Sequence, residues 1–312
     1  MLKLNGLSKI YRVGTFGGKG LHAVNNITFD IGDNEIVSLI GESGSGKSTI
    51  GKMILRLVSI SSGSIVFNGV DITTYKGAAL KEYYRNVQGV FQDPFSSYNP
   101  IFKADRIFSI IREEFFPELG DSEWNKKLNN SLEAVGLNPE HVLNKFPHQL
   151  SGGQLQRFLI ARALLLDTHF LVADEIISML DASTRIDVLN LLANLKSRGL
   201  SILFITHDLS LGYYISDKSL ILYRGCVMEM GSTWKIYKNP LHPYTKMLMA
   251  SVPRLDRKWE EENLDLETIS PESFNGCVYY GRCPFAIDKC QEVPPLIKIE
   301  EDHFAACWKV SE

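Results

Sequence analysis

Nowhere in this 312-residue chain does an apolar run approach the roughly eighteen residues that cross a bilayer, so no membrane-spanning helix is expected. The first residues enter a strand-like pattern without a signal peptide's apolar core, and the protein is expected to be soluble, meeting any membrane through partners. An excess of one charge is missing too: 33 basic residues against 36 acidic ones leave a formal net charge of −3, with both signs mixed along the chain. That removes the broad electrostatic case for a nucleic-acid partner. Cysteine is sparse, five in all, and none falls in the Cys-x-x-Cys pairs of a zinc ribbon. The length does allow one large domain with a sizeable core, plus an appendage.

The firmest motif is Gly41-Glu42-Ser43-Gly44-Ser45-Gly46-Lys47-Ser48, which fits G-x-x-x-x-G-K-[ST]. The apolar run at 36–40 reads as a buried strand feeding it, and residues 49–57 have helical spacing. Backbone N–H groups of the loop and the positive end of that helix would then converge on one place, which suits an anion. Glycines let the backbone approach a triphosphate closely, Lys47 offers an ammonium to the β and γ phosphates, and Ser48 offers a hydroxyl to magnesium.

Downstream, His169-Phe170-Leu171-Val172-Ala173-Asp174-Glu175 is an apolar run ending in two carboxylates, the pattern of a central strand delivering charge at its C-terminal edge. Paired with the phosphate loop, Asp174 is expected to hold magnesium and Glu175 to orient or deprotonate the attacking water. Gln92 and His207 end two further apolar runs, 87–91 and 201–205, and are expected at the same edge. Between these elements, Leu150-Ser151-Gly152-Gly153-Gln154 carries Ser151 three residues before Gln154, a capping-box spacing ahead of a helical run. Its hydroxyl and glycine backbone could cap that helix or bind an anion.

The tail holds four of the five cysteines, Cys277, Cys283, Cys290 and Cys307, spaced Cys-x5-Cys-x6-Cys-x16-Cys. An expected cytosolic placement argues against structural disulfides, and four thiolates suit either an iron–sulfur cluster or zinc. Cys226 reads as a buried apolar residue.

In this order the motifs resemble those of the ATP-binding subunit of ABC transporters, over nearly the whole chain. The resemblance implies an α/β fold: a RecA-like P-loop NTPase core with a mostly parallel sheet, an antiparallel β subdomain, an inserted α-helical subdomain and a C-terminal cysteine-containing extension. Residues 1–95 and 160–235 would form the core, 96–159 the helical signature subdomain that docks a membrane partner, and 236–312 the extension. By the same resemblance Tyr11 stacks on adenine, although alone it reads as a strand-end aromatic. Gly41, Ser43, Gly44, Gly46, Lys47, Ser48 and Thr49 would bind ATP, and Ser48, Gln92 and Asp174 the Mg2+. Glu175, His207 and Gln92 would be catalytic, His207 reaching the γ-phosphate. Ser151, Gly152, Gly153 and Gln154 would hold the γ-phosphate bound by an opposing subunit, and Asp181 would belong to the loop crossing that dimer.

The tail sharpens the resemblance. Asn239-Pro240-Leu241-His242-Pro243-Tyr244-Thr245, Gly276-Cys277 and Arg282-Cys283-Pro284 look like the C-terminal region of oligopeptide/dipeptide-type importers, some of which bind a [4Fe-4S] cluster at such cysteines. Implied partners are a second, paralogous ATPase subunit giving a heterodimer, two transmembrane permeases and an extracellular solute-binding protein, with no nucleic acid. The location implied is peripheral, on the cytoplasmic face of the cell membrane. The solute would be a peptide or a related compound such as an oligosaccharide. An export or signalling ATPase, or a nucleic-acid-associated one, is the alternative; the four-cysteine tail speaks against the first, and the absence of basic patches or a long coiled-coil insertion against the second. One departure concerns Ile176, Ile177 and Met179, where similar proteins usually have Pro-Thr and Ala; it bears on how the dimer-crossing loop is tuned.

Overall fold

The computed structural model describes residues 1–12, 20–251 and 276–310. In chain order come β1 (Leu2–Arg12), β2 (Gly20–Ile31), β3 (Ile36–Ile40), α1 (Lys47–Ile54), β4 (Ser62–Phe67) and β5 (Val70–Asp71). Next are α2 (Gly77–Asn86), β6 (Val87–Val90), α3 (Arg106–Phe115), α4 (Asp121–Ala134), α5 (Pro139–Val142) and α6 (Gly152–Leu165). There follow β7 (Phe170–Asp174), α7 (Ala182–Ser197), β8 (Ser201–Thr206), α8 (Leu209–Ile215), β9 (Lys218–Tyr223) and β10 (Cys226–Ser232). The chain closes with α9 (Thr233–Lys238), α10 (Pro243–Ala250), β11 (Ile297–Glu300) and β12 (His303–Ala305). Among the described residues no helix is long and apolar enough to cross a membrane.

Two compact units divide these elements. The first comprises Met1–Ile31, Ile36–Thr73 and Phe204–Glu312; the second comprises Gly32–Glu35 and Thr74–Leu203.

In the first unit, β2, β1, β4 and β5 form an antiparallel sheet in that order. Strand β1 buries Leu2 and Leu4, breaks register at the left-handed Gly6 (φ 56°), and resumes by burying Leu7. One extra residue at such a bulge restores the inward face. A second set of strands surrounds β3, whose residues are all buried, and which pairs in parallel with β9 from Val37 opposite Lys218 to Ile40 opposite Ile221. Continuous apolar runs suit strands covered on both faces. β10 then pairs antiparallel with β9, β12 with β10, and β11 with β12. The cysteine-bearing tail therefore adds two strands to the edge of the sheet that carries the phosphate loop.

Glu229 locks that addition. Fully buried on β10, its carboxylate accepts hydrogen bonds from the backbone N–H groups of Leu241 (2.9 Å) and His242 (2.8 Å) and pairs with His303 Nε2 at 2.7 Å. His303 Nδ1 lies 3.1 Å from Glu300. Burial alone would lower the His303 pKa, but hydrogen bonds to Glu229 and Glu300 hold it above its ordinary value.

The second unit packs helices around the parallel pair β6 and β7, registered from Val87 opposite Phe170 to Val90 opposite Ala173. Phe158 of α6 is fully buried, with the Phe108 ring of α3 centred 4.6 Å away. Helix α3 buries Phe108 and Ile111 and leaves Ile110 exposed.

Candidate nucleotide site and cysteine cavity

The expected strand, loop and helix are present in the first unit: β3 ends at Ile40, and α1 starts at Lys47 after a loop in which Gly44 (φ 79°) and Gly46 (φ 102°) adopt left-handed geometry. Both need glycine, since L-residues rarely hold such angles. At Gly41 the need is space: a Cβ there would sit 2.1 Å from the Leu222 carbonyl oxygen on β9. Lys47 is buried, and its ammonium donates to the carbonyl oxygens of Gly41 (2.8 Å) and Glu42 (2.9 Å). The loop thus orients its own lysine. Ser43 and Gly44 are exposed, while Gly46, Ser48 and Thr49 are partly so.

Tyr11 lies near the end of β1, opposite Leu21, with the Lys9 ammonium 5.0 Å from its ring centre. His207 is exposed, directly after β8, and the next residue, Asp208, caps α8 by accepting from Ser210 N–H at 2.8 Å.

The second unit holds the acidic pair and the signature segment. Asp174 is buried as the last residue of β7, and Glu175 follows it with φ 51°. A glutamate in left-handed geometry costs about 1–3 kcal/mol and persists where surrounding contacts enforce it. Here the Glu175 carbonyl accepts from the Ser178 N–H (3.1 Å) and hydroxyl (2.9 Å). Ile176 and Ile177 are buried, whereas Met179 is 61% exposed. The two isoleucines therefore fill core, and Met179 alone of the three unusual residues faces outward. Gln92 is exposed just beyond β6.

Ser151 caps α6 as its spacing predicts: its hydroxyl accepts from Gln154 N–H at 3.2 Å, and the Gln154 side-chain oxygen accepts from Ser151 N–H at 2.8 Å. Asp181 caps α7, accepting from the Thr184 N–H (3.0 Å) and from the hydroxyls of Ser183 (2.6 Å) and Thr184 (2.8 Å). Those bonds hold its carboxyl well below the usual carboxylate range.

All four tail cysteines are free thiols and line one small cavity in the first unit, together with His242, Tyr279 and Trp308 among others. The Cys277 N–H donates to the Cys290 carbonyl at 2.8 Å, and Gly276 is required there because a Cβ would meet that carbonyl at 2.5 Å. Burial, helped by the three neighbouring cysteines, pushes the Cys277 thiol up to about 11; burial also raises Cys283 and Cys307. Among the described residues, however, no three His, Cys, Asp or Glu side chains stand close enough together to form a ready metal site.

Sequence reasoning missed what lies beside this cavity. Arg282 grips Glu42 of the phosphate loop through two parallel bonds, Nη1 to Oε2 at 2.9 Å and Nη2 to Oε1 at 3.1 Å. Tyr223, Tyr244 and Tyr279 cluster around it with ring centres 4.7–5.3 Å apart. The Tyr244 hydroxyl accepts from Glu42 N–H at 3.1 Å. Pairs 240 residues apart leave no local pattern to read.

Comparison with known proteins decides the family. The ABC transporter family matches residues 24–178, and the family described as oligopeptide/dipeptide transporter, C-terminal region, matches residues 228–290. The oligopeptide transport ATP-binding protein OppF of Haemophilus influenzae is 39% identical over 298 residues, 93% of this chain and 89% of that protein.

This chain belongs to the ABC transporter family.

OppF of Salmonella typhimurium is 37% identical, over 94% of this chain and 89% of its own length. Among solved structures, the ATP-binding cassette MJ0796, in a dimeric post-hydrolysis state bound to ADP and Pi, is 28% identical with a TM-score of 0.67, covering 75% of this chain and 99% of that one. The chain is accordingly an ABC ATPase, with the P-loop fold expected from its motifs, and its ATP hydrolysis is coupled to transport.

Proposed function

We propose that this ABC ATPase powers a peptide importer from the cytoplasmic face of the membrane, together with two permeases, an extracellular solute-binding protein and a second, paralogous ATPase subunit. The observation that carries the reading is the joint presence of a formed phosphate loop and a C-terminal region of the oligopeptide/dipeptide transporter kind in one chain. Relatives named for oligopeptide transport span nearly its full length.

Each residue then has a task. Tyr11 stacks on adenine, and Gly41, Ser43, Gly44, Gly46, Lys47, Ser48 and Thr49 hold the triphosphate. Ser48, Gln92 and Asp174 would hold magnesium through the oxygen donors that a hard divalent cation takes, and the ion would supply charge neutralisation at the phosphates. Glu175 orients or deprotonates the attacking water, while His207 contacts the γ-phosphate. Ser151, Gly152, Gly153 and Gln154 of one subunit close over the nucleotide held by the other, and Asp181 lies on the crossing loop. ATP therefore favours the closed dimer, and losing the γ-phosphate contacts releases it. Residues 96–159 carry the permease-docking surface.

The cysteine cavity is read as a [4Fe-4S] site held by Cys277, Cys283, Cys290 and Cys307, with zinc as the alternative. Four free thiols surround one cavity, and three of them disfavour the charged form of the fourth, Cys277, a donor set that a cation would relieve. The group would act as a cross-link within the tail. Iron, acid-labile sulfide and zinc measured in anaerobically purified protein separate the two, and absence of all three overturns both.

The functional reading is tested by reconstituting the chain with its permeases and binding protein in lipid and following ATP turnover against a panel of peptides and oligosaccharides. Stimulation by peptides is expected. Stimulation by oligosaccharides alone, or by nothing in the presence of a loaded binding protein, overturns it.

A further inference from the structure

Glu42 places a carboxylate inside the loop that must accept a triphosphate, beside the exposed Ser43 and Gly44. Left alone, that charge would repel the ligand across a few ångströms, where screening by salt is weak. It is not left alone. Arg282, from the loop that leads into Cys283, meets it with a bidentate guanidinium fork, the strongest of the common ion-pair geometries. Arg282 is itself held: its Nη1 donates to the Tyr223 hydroxyl at 3.4 Å, and its guanidinium lies 5.6 Å from the Tyr223 ring centre and 5.9 Å from that of Tyr279.

The clamp extends beyond charge. The Glu42 N–H is taken by Tyr244, and its carbonyl receives both the Lys47 ammonium at 2.9 Å and the Ser45 N–H at 3.2 Å. One residue's side chain, amide and carbonyl are thus fixed from three directions, and two of the three anchors come from C-terminal segments that a phosphate loop does not itself contain. Cys277, Cys290, Tyr223, Tyr244 and Tyr279 belong to the same buried cluster as Ile40, the residue before the loop.

We propose that Arg282 is a positioning residue for ATP: it neutralises and pins Glu42, so that the cysteine-bearing tail sets the nucleotide affinity of the phosphate loop. The proposal rests on the reading of Gly41–Ser48 as the triphosphate site, and the test keeps the two apart.

The experiment measures the Kd of the intact chain for a fluorescent ATP analogue and the ATP KM and kcat of the assembled transporter, for five forms. Lys47→Ala tests the site itself and should abolish binding; unchanged binding overturns the site reading and the proposal with it. Arg282→Ala should raise Kd and KM about fivefold, the size of one partly exposed ion pair, while kcat stays within about twofold. Glu42→Gln alone removes the negative charge from the loop and should tighten affinity. The double variant Arg282→Ala/Glu42→Gln should return affinity to near the parent value, which a merely structural role for Arg282 would not do. Arg282→Lys, keeping charge but losing the fork, should fall between and remains informative if Arg282→Ala does not fold. An unaltered Kd in Arg282→Ala and Arg282→Lys, or a defect that Glu42→Gln fails to relieve, overturns the proposal.

Discussion

Gly153 packs directly on Thr184: a Cβ added at position 153 would lie 2.7 Å from Thr184 Cγ2, so α6 and α7 meet there only because the side chain is absent. Gly152, one residue earlier, has room, with its nearest added-Cβ neighbours at 3.8 and 3.9 Å. Two adjacent glycines in the signature segment therefore have separable roles. Gly153→Ala should destabilise the chain by about 1–3 kcal/mol through overpacking, whereas Gly152→Ala should leave its thermal melting midpoint unchanged. If the segment closes over a partner's nucleotide, Gly152→Ala will still lower turnover of the assembled transporter. Parent-level turnover in Gly152→Ala contradicts that role.

Stability should peak near neutral pH for reasons traceable to two histidines around Glu229. Burial, with the nearby Lys246 charge, holds His242 down at about 4, against an ordinary 6.5, and its Nδ1 accepts from the Tyr244 N–H. The unfolded chain then binds more protons between those values, and stability falls as pH drops from about 6.5 toward 4. His303 has the opposite sign: its raised pKa gives stability that is complete below 6.5 and is lost as pH climbs through the raised value. Urea melts across pH 5 to 9 check both. His242→Asn, which can still cap α10, should flatten the acidic limb, and His303→Gln the alkaline one.

The tail should report on the cavity that its thiols line. Cys283→Ser, adjacent to Arg282, is expected to lower the melting midpoint and to raise the ATP KM in the same direction as Arg282→Ala. A change in melting with no change in KM would confine the cysteines to a local structural role.

Legibility from the sequence followed the range of the interaction. The phosphate loop, the Ser151–Gln154 capping box and the strand ending at Asp174 are encoded by contiguous residues whose spacing maps onto backbone hydrogen bonds, and each was readable. Glu229 with His303 and Arg282 with Glu42 were not, because the partners are 74 and 240 residues apart and each is an ordinary residue in its local context. The extra strands β11 and β12 were hidden for a related reason: their alternation spans only four and three residues. The buried state of Ile176 and Ile177, against the exposure of Met179, likewise needed the packing of the second unit to be seen.

Met179 offers a sharper probe of subunit pairing than its neighbours. Met179→Ala should change turnover of the assembled transporter by no more than a few-fold while leaving the melting midpoint in place, since an exposed side chain contributes within about 0.5 kcal/mol to stability. Ile177→Ala should instead unfold the second unit earlier, costing about 2–5 kcal/mol as a buried large-to-small change.

The most direct measurement is the fate of ATP in Glu175→Gln. This substitution removes the carboxylate proposed as the base while keeping the residue's shape at its left-handed position (φ 51°). The account predicts that the assembled transporter binds ATP as tightly as the parent, retains it unhydrolysed, and turns over at least about a hundredfold more slowly. Parent-level hydrolysis in Glu175→Gln would contradict it.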